Sequence, residues 1–129
     1  MRLASSNSDV TFDFSDVDGD YFCVSVMAPD HSARRRVCAY TDRSGVARLF
    51  AEAARDWKGW SGEKVWESLE GELRIALTID RLGHVIVALC IRSDPGSSDR
   101  WNLKSELGLD AGQLEAVAKN AERLWCGGG

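Results

Sequence analysis

A chain of 129 residues has room for one domain, burying roughly two-thirds of the surface that its unfolded form exposes. Its composition, 44% hydrophobic and 28% charged with only two Pro, is that of a globular protein and excludes a disordered or fibrous one. Sixteen Lys and Arg against 20 Asp and Glu leave a net charge of -4, the wrong sign for a general polyanion binder, so nucleic acid is not an expected partner.

Residues 1–9 are polar and rich in Ser and Asn, and read as a flexible N-terminal segment ahead of a single domain over 10–126. They hold no apolar stretch of signal-peptide length, and nowhere do 18 apolar residues run together. No membrane partner is expected, and the cytoplasm is the default compartment. Three short alternating runs follow as candidate strands: Val10 to Phe14, Tyr21 to Met27 and Arg35 to Tyr40. Asp16, Asp18 and Asp20 around Gly19 invite a calcium reading. Placing Gly19 at the glycine of an EF-hand loop puts Phe14 at the first ligand position and Ser25 where the bidentate Glu belongs, so the segment reads as a polar turn. Arg34-Arg35-Arg36 reads as a solvated strand edge. Val46, Leu49, Phe50, Ala53 and Trp57 then fall at i, i+3, i+4, i+7 and i+11, the stripe of a buried helix face, with Ser44 or Asp42 as cap.

The second half is more regular. Leu69 to Ile79 alternates with period two, the turn-like Asp80-Arg81-Leu82-Gly83 follows, and His84 to Arg92 alternates again, which reads as an antiparallel hairpin. A polar loop from Ser93 to Asp99 leads to a third strand near Trp101, Leu103 and Leu107. Asp110 and Gln113 have the spacing of a capping box and Leu109 and Leu114 that of a hydrophobic staple, so a helix opens there, with Leu114, Val117, Ala118, Ala121, Leu124 and Trp125 on one face. Gly127 to Gly129 reads as a flexible tail. The order βββα-βββα implies an α+β fold, an antiparallel sheet of about six strands with two helices packed on one face. Leu73, Ile75, Leu77, Val87, Leu89, Phe50, Leu114 and Val117 should share its core.

No cluster of residues that carries chemistry is complete. Cys23, Cys38, Cys90 and Cys126 lack the paired spacing of zinc ligands and read as buried thiols. A Cys23–Cys38 disulfide is geometrically open if their strands are neighbours, but an intracellular setting argues against it. The only imidazoles, His31 and His84, sit at turn and strand-end positions. Gly59-Trp60-Ser61-Gly62 lacks a spacer residue of the nucleophile elbow, and neither a Walker loop nor G-x-G-x-x-G is present. The expectation is a protein that is not an enzyme, with no catalytic residue, no metal and no cofactor.

The unusual segment is Asp56 to Trp66, which holds three of the five tryptophans. Trp57 completes the helix stripe and reads as core. Trp60 lies between glycines in a connection, and Trp66 shares the parity of Glu70 and Glu72, which alternate with the apolar positions and should point outward. Two readings stand: the tryptophans cap the open end of the core, or Trp60, Trp66, Glu70 and Glu72 form a partner-binding surface, because Trp with neighbouring charges is the composition of interface hot spots.

Three runs, Asp56-Trp57-x-Gly59-Trp60-x-Gly62, Trp66-x-Ser68-Leu69-Glu70-Gly71-Glu72-Leu73 and Asp80-Arg81-x-Gly83-His84-Val85, resemble a family of uncharacterised small bacterial proteins similar to the WapI-type immunity proteins. The likeness covers roughly Val10 to Trp125 and brings no functional residue with it. It implies a cytoplasmic, antitoxin-like protein whose partner is a toxin domain delivered by neighbouring cells. By analogy, an acidic sheet face would suit a basic toxin such as a nuclease. The alternative is a small-ligand-binding protein or enzyme that uses the open face of the sheet.

Overall fold

A computed structural model describes residues 1–127. The expected tail therefore lies, past Gly127, outside the described residues. Strands β1 (Arg2–Ala4), β2 (Thr11–Asp18), β3 (Tyr21–Ala28) and β4 (His31–Cys38) form one antiparallel meander and lead into helix α1 (Gly45–Arg55). Strands β5 (Lys64–Glu67), β6 (Leu73–Ile79), β7 (His84–Arg92) and β8 (Asn102–Asp110) form a second, followed by a 3-10 turn (Ala111–Gln113) and helix α2 (Leu114–Trp125). The fold is α+β, as the alternation of periods implies, but its order is ββββα twice. It has two sheets of four strands each in place of one sheet of about six.

The two additional strands are short and carry little pattern. The three residues of β1 fall in the segment that reads as flexible, and they pair with β2 through Leu3↔Phe12. The four residues of β5 pair with β6 from Lys64↔Leu77 to Glu67↔Arg74. The long alternating run also starts later than its sequence suggests: Ser68 to Gly71 is a turn, Gly71 has φ +75, and Leu69 is 70% exposed. Leu73 is the first strand residue after it.

The sheets stay separate because β4 does not pair with β5. It crosses the ends of the second sheet instead. His31 Nε2 meets Ser105 Oγ at 3.0 Å, Arg35 Nε donates to the Arg92 carbonyl at 2.9 Å, and the Cys38 amide donates to Glu72 Oε2 at 3.3 Å, touching β8, β7 and the approach to β6 in turn. At the other side the β1–β2 loop closes the free edge of β8. The Ser6 amide donates to the Gly108 carbonyl at 2.8 Å and the Gly108 amide to Ser5 Oγ at 3.1 Å, which removes part of an exposed ladder.

One hydrophobic cluster runs through both sheets and both helices, and all eight expected core residues belong to it. Phe14 and Phe22 meet the Trp125 ring edge-on, with centroids 5.6 and 5.3 Å away, and Phe22 also packs on Trp66 at 6.2 Å. The register of β2 against β3 shifts between Ser15 and Asp18, where Asp16 has φ 54 and its carboxylate accepts from Arg34 Nη2 at 2.8 Å. Ser44 is the N-cap of α1, without a side-chain hydrogen bond, while Asp42 is engaged elsewhere. The Asp110–Gln113 box forms as read, with the Asp110 amide donating to Gln113 Oε1 at 2.8 Å. All four cysteines are free, Cys23 and Cys38 on the neighbouring strands β3 and β4 included. Among the described residues no helix is long and apolar enough to cross a membrane.

Candidate partner-binding surface

The four residues singled out by the sequence do not converge. Trp66 sits opposite Ile75 on the inner face of β5 and is 6% exposed. Its Nε1 donates to Asp42 Oδ2 at 3.0 Å, and Gly45 opens α1 so close to the indole that a Cβ there would overlap it. The same carboxylate accepts from Arg48 Nη1 and Nη2 at 2.8 and 2.7 Å, and the Arg48 hydrogen bonds hold the Asp42 carboxyl below its ordinary range. Trp66 is therefore a core residue with a satisfied polar handle.

Glu72 is buried too, at 6% exposure, with Ser68 Oγ donating to Oε1 and the Cys38 amide to Oε2. The two outward assignments fail for different reasons. Parity counted back through the Ser68–Gly71 turn does not carry over to Trp66. Glu72, by contrast, follows the turn on the Arg74 face and is buried because Ser68 and the Cys38 amide close on its carboxylate. Glu70 remains exposed at the tip of that turn. Trp60 is half-buried, its Nε1 donating to the Leu77 carbonyl at 3.2 Å and its ring lying under Lys64 Nζ at 5.2 Å. Trp60 and Glu70 thus mark opposite ends of β6. The acidic sheet face expected from Glu70 and Glu72 is absent as well, since the outward row across the second sheet is Glu67, Arg74, Cys90 and Lys104.

A different grouping forms at the Trp60 end. Helix α1 stops at Arg55, so Trp57 leaves the buried stripe and is 52% exposed, against the core role its spacing suggests. Leu82, at the tip of the β6–β7 turn, is 81% exposed. A depression of about 400 Å³ lies between Trp57, the end of α1 and Ala111–Gly112 of the 3-10 turn, and a second of about 410 Å³ lies between Trp60 and Ile79–Arg81. The Ala111 amide donates to the Gly83 carbonyl at 2.8 Å, tying the 3-10 turn to the β6–β7 turn.

This end is held in place by ion pairs and by carboxylate–amide hydrogen bonds. Asp56 accepts from Arg55 Nη2 at 3.1 Å and from Lys64 Nζ at 2.7 Å, and these bonds, Arg55 first, lower its carboxyl to about 2. Asp80 Oδ1 accepts from the amides of His84 and Leu82 at 2.9 and 2.8 Å, which lowers its carboxyl from the ordinary value, the His84 amide most. The loop and the turn that present Trp57, Trp60 and Leu82 are therefore ordered before any partner arrives. Neither Trp57 nor Leu82 was legible as surface, although the charge run Arg55-Asp56 that ends the helix stripe was there to mark its limit.

A family model matches residues 3–126, from the first strand to the end of the last helix. The chain belongs to DUF6228, a family of unknown function. No curated protein matches it. The match takes in both ββββα halves and the tryptophan end.

Proposed function

We propose that this DUF6228 protein is a non-catalytic binding protein of immunity type, acting in the cytoplasm to block a bacterial toxin domain through the end that carries Trp57, Trp60 and Leu82. The observation that supports this reading is that end itself: a half-exposed tryptophan, a second that is half-buried and an almost fully exposed leucine, set among Arg55, Asp56, Lys58, Asp80 and Arg81 on a pre-ordered frame. Aromatic anchors ringed by charge are where binding energy concentrates, at roughly 2–4 kcal/mol each, or about 30- to 1000-fold in affinity. The likeness of the Trp-Gly runs to WapI-type immunity proteins supplies the class of partner.

The test is affinity capture with the wild-type chain and with a Trp57→Ala/Leu82→Ala variant, followed by co-expression of the captured protein. The expected result is a toxin-domain protein whose growth inhibition the wild-type chain relieves and the variant does not, while both chains melt at the same temperature. A variant that melts as wild type and still protects cells from that toxin would overturn the assignment of this end.

A further inference from the structure

The outer face of the second sheet holds a feature that the tryptophan end does not explain. Arg74, Cys90 and Lys104 are direct cross-strand neighbours on β6, β7 and β8, and Arg92 follows two residues after Cys90 on the same face. Strands about 4.8 Å apart put the Arg74 and Lys104 backbones only about 10 Å from each other, within one Debye length at physiological salt. Elsewhere in this acidic protein Arg34, Arg43, Arg48, Arg55, Lys64 and Lys119 each meet a carboxylate. Here, among the described residues, only Arg74 does, reaching Glu63 at 3.4 Å, while the Arg92 and Lys104 side chains have neither an ion-pair nor a hydrogen-bond partner.

The shape follows from residue size. Ala88 and Cys90 are short side chains at the centre, and Arg74, Arg92, Lys104 and Glu106 are long ones around them, which leaves a depression of about 230 Å³. Three cations and one carboxylate line it, and with Arg74 held by Glu63 the cations left unpaired are Arg92 and Lys104. The volume suits a compact ligand rather than a polymer, and the guanidinium fork suits tetrahedral or planar oxyanions.

We propose that the Arg74–Cys90–Arg92–Lys104 depression binds a small dianionic oxyanion of phosphate type, either free or as the monoester group of a small molecule. A phosphate group carries about -1.5 to -2 at neutral pH and has oxygens enough to engage both unpaired cations, Arg92 and Lys104. The site is at the opposite end of the sheet from Trp60 and does not depend on the toxin-binding reading.

Cys90 reports on it directly. Its rate of labelling by the dianionic reagent 5,5′-dithiobis(2-nitrobenzoate) and by the neutral 4,4′-dithiodipyridine can be measured site by site through peptide mass spectrometry, with the exposed Cys126 as internal reference. The cations should raise the anionic-to-neutral rate ratio about 10-fold at Cys90 over that at Cys126. Inorganic phosphate should slow labelling of Cys90 more than sodium chloride of equal ionic strength does, and Arg92→Gln and Lys104→Gln should each remove both effects. Protection by glycerol 3-phosphate at lower concentration than by inorganic phosphate assigns the monoester, and the reverse order assigns the free ion. Equal rate ratios at Cys90 and Cys126, or phosphate acting no differently from chloride, would overturn the proposal.

Discussion

The two ββββα halves share an order of elements and differ in what they bury. The first sheet fills its inner face with Phe12, Phe14, Phe22, Val24 and Val26, and its register shifts at Ser15–Asp18. The second is aliphatic, from Leu73, Ile75 and Leu77 through Val85, Val87, Leu89 and Ile91, with no register shift from β6 through β8. The aromatic half needs the other half's helix, because Trp125 of α2 stands against Phe14 and Phe22. The aliphatic half needs the first helix in turn, because the start of α1 packs on Trp66 of β5. A repeated plan with unlike contents has produced one core, and neither half keeps its own helix to itself.

Charges placed in the two sheets put that conclusion at risk. Leu77 and Val24 are both fully buried, one in each half, and an aspartate at either position would bury an unpaired carboxylate. Leu77→Asp and Val24→Asp should each abolish folding of the whole chain, as seen by loss of near-UV circular dichroism and of a single cooperative urea transition. Retention of the other half's signal in either variant would show two cores. A smaller effect sharpens the contrast in contents. Phe22→Ala removes a ring that meets Phe14, Trp66 and Trp125 and should cost about 3–5 kcal/mol, whereas Ile75→Val in the aliphatic sheet should cost about 0.5–1.5 kcal/mol by denaturant melts. Equal losses would mean that the aromatic cluster is not the joint.

Parity alone predicts that Glu72→Lys is harmless, since it places Glu72 on the solvent face. Burial between Ser68 and the Cys38 amide predicts a loss of about 3 kcal/mol or more, because the new ammonium would face donors in a dry site. A chemical denaturation curve decides between them. The case shows where the sequence was readable. Long periodic runs such as Leu73–Ile79, His84–Arg92 and the α2 stripe carry ten or so redundant signals between them, and the Asp110–Gln113 cap is a spacing that needs no tertiary information. Strands of three and four residues, β1 and β5, offer at most one or two buried positions, too few to show a period. Two sheets rather than one follow from β4 crossing the ends of the second sheet, a long-range contact with no local trace. The site is less legible: the glycines around Trp60 mark its connection, but a helix end exposes Trp57 against its stripe and a turn puts Trp66 in the core against its parity.

The smallest predicted effect concerns the ionic joints between the halves. Asp42, just after the first sheet, binds Arg48 and the Trp66 indole, and Asp56, just after α1, binds Arg55 and Lys64 of β5. Both carboxyls are held below the ordinary 3.8, Asp56 at about 2. A carboxyl whose folded value is depressed contributes stability that is present above the unfolded value and is lost as the pH falls through the folded one. The Asp56 contribution should therefore be whole above about pH 4 and gone near about pH 2. In melting temperatures measured across that range, Asp56→Asn should lie below wild type at the upper end and converge on it at the lower, while Asp42 keeps some acid sensitivity in both chains. Because the Asp56 pairs face solvent, the separation should be small. A gap that stays constant down to the acid end would mean that Asp56 acts through packing and not through its charge on Arg55 and Lys64.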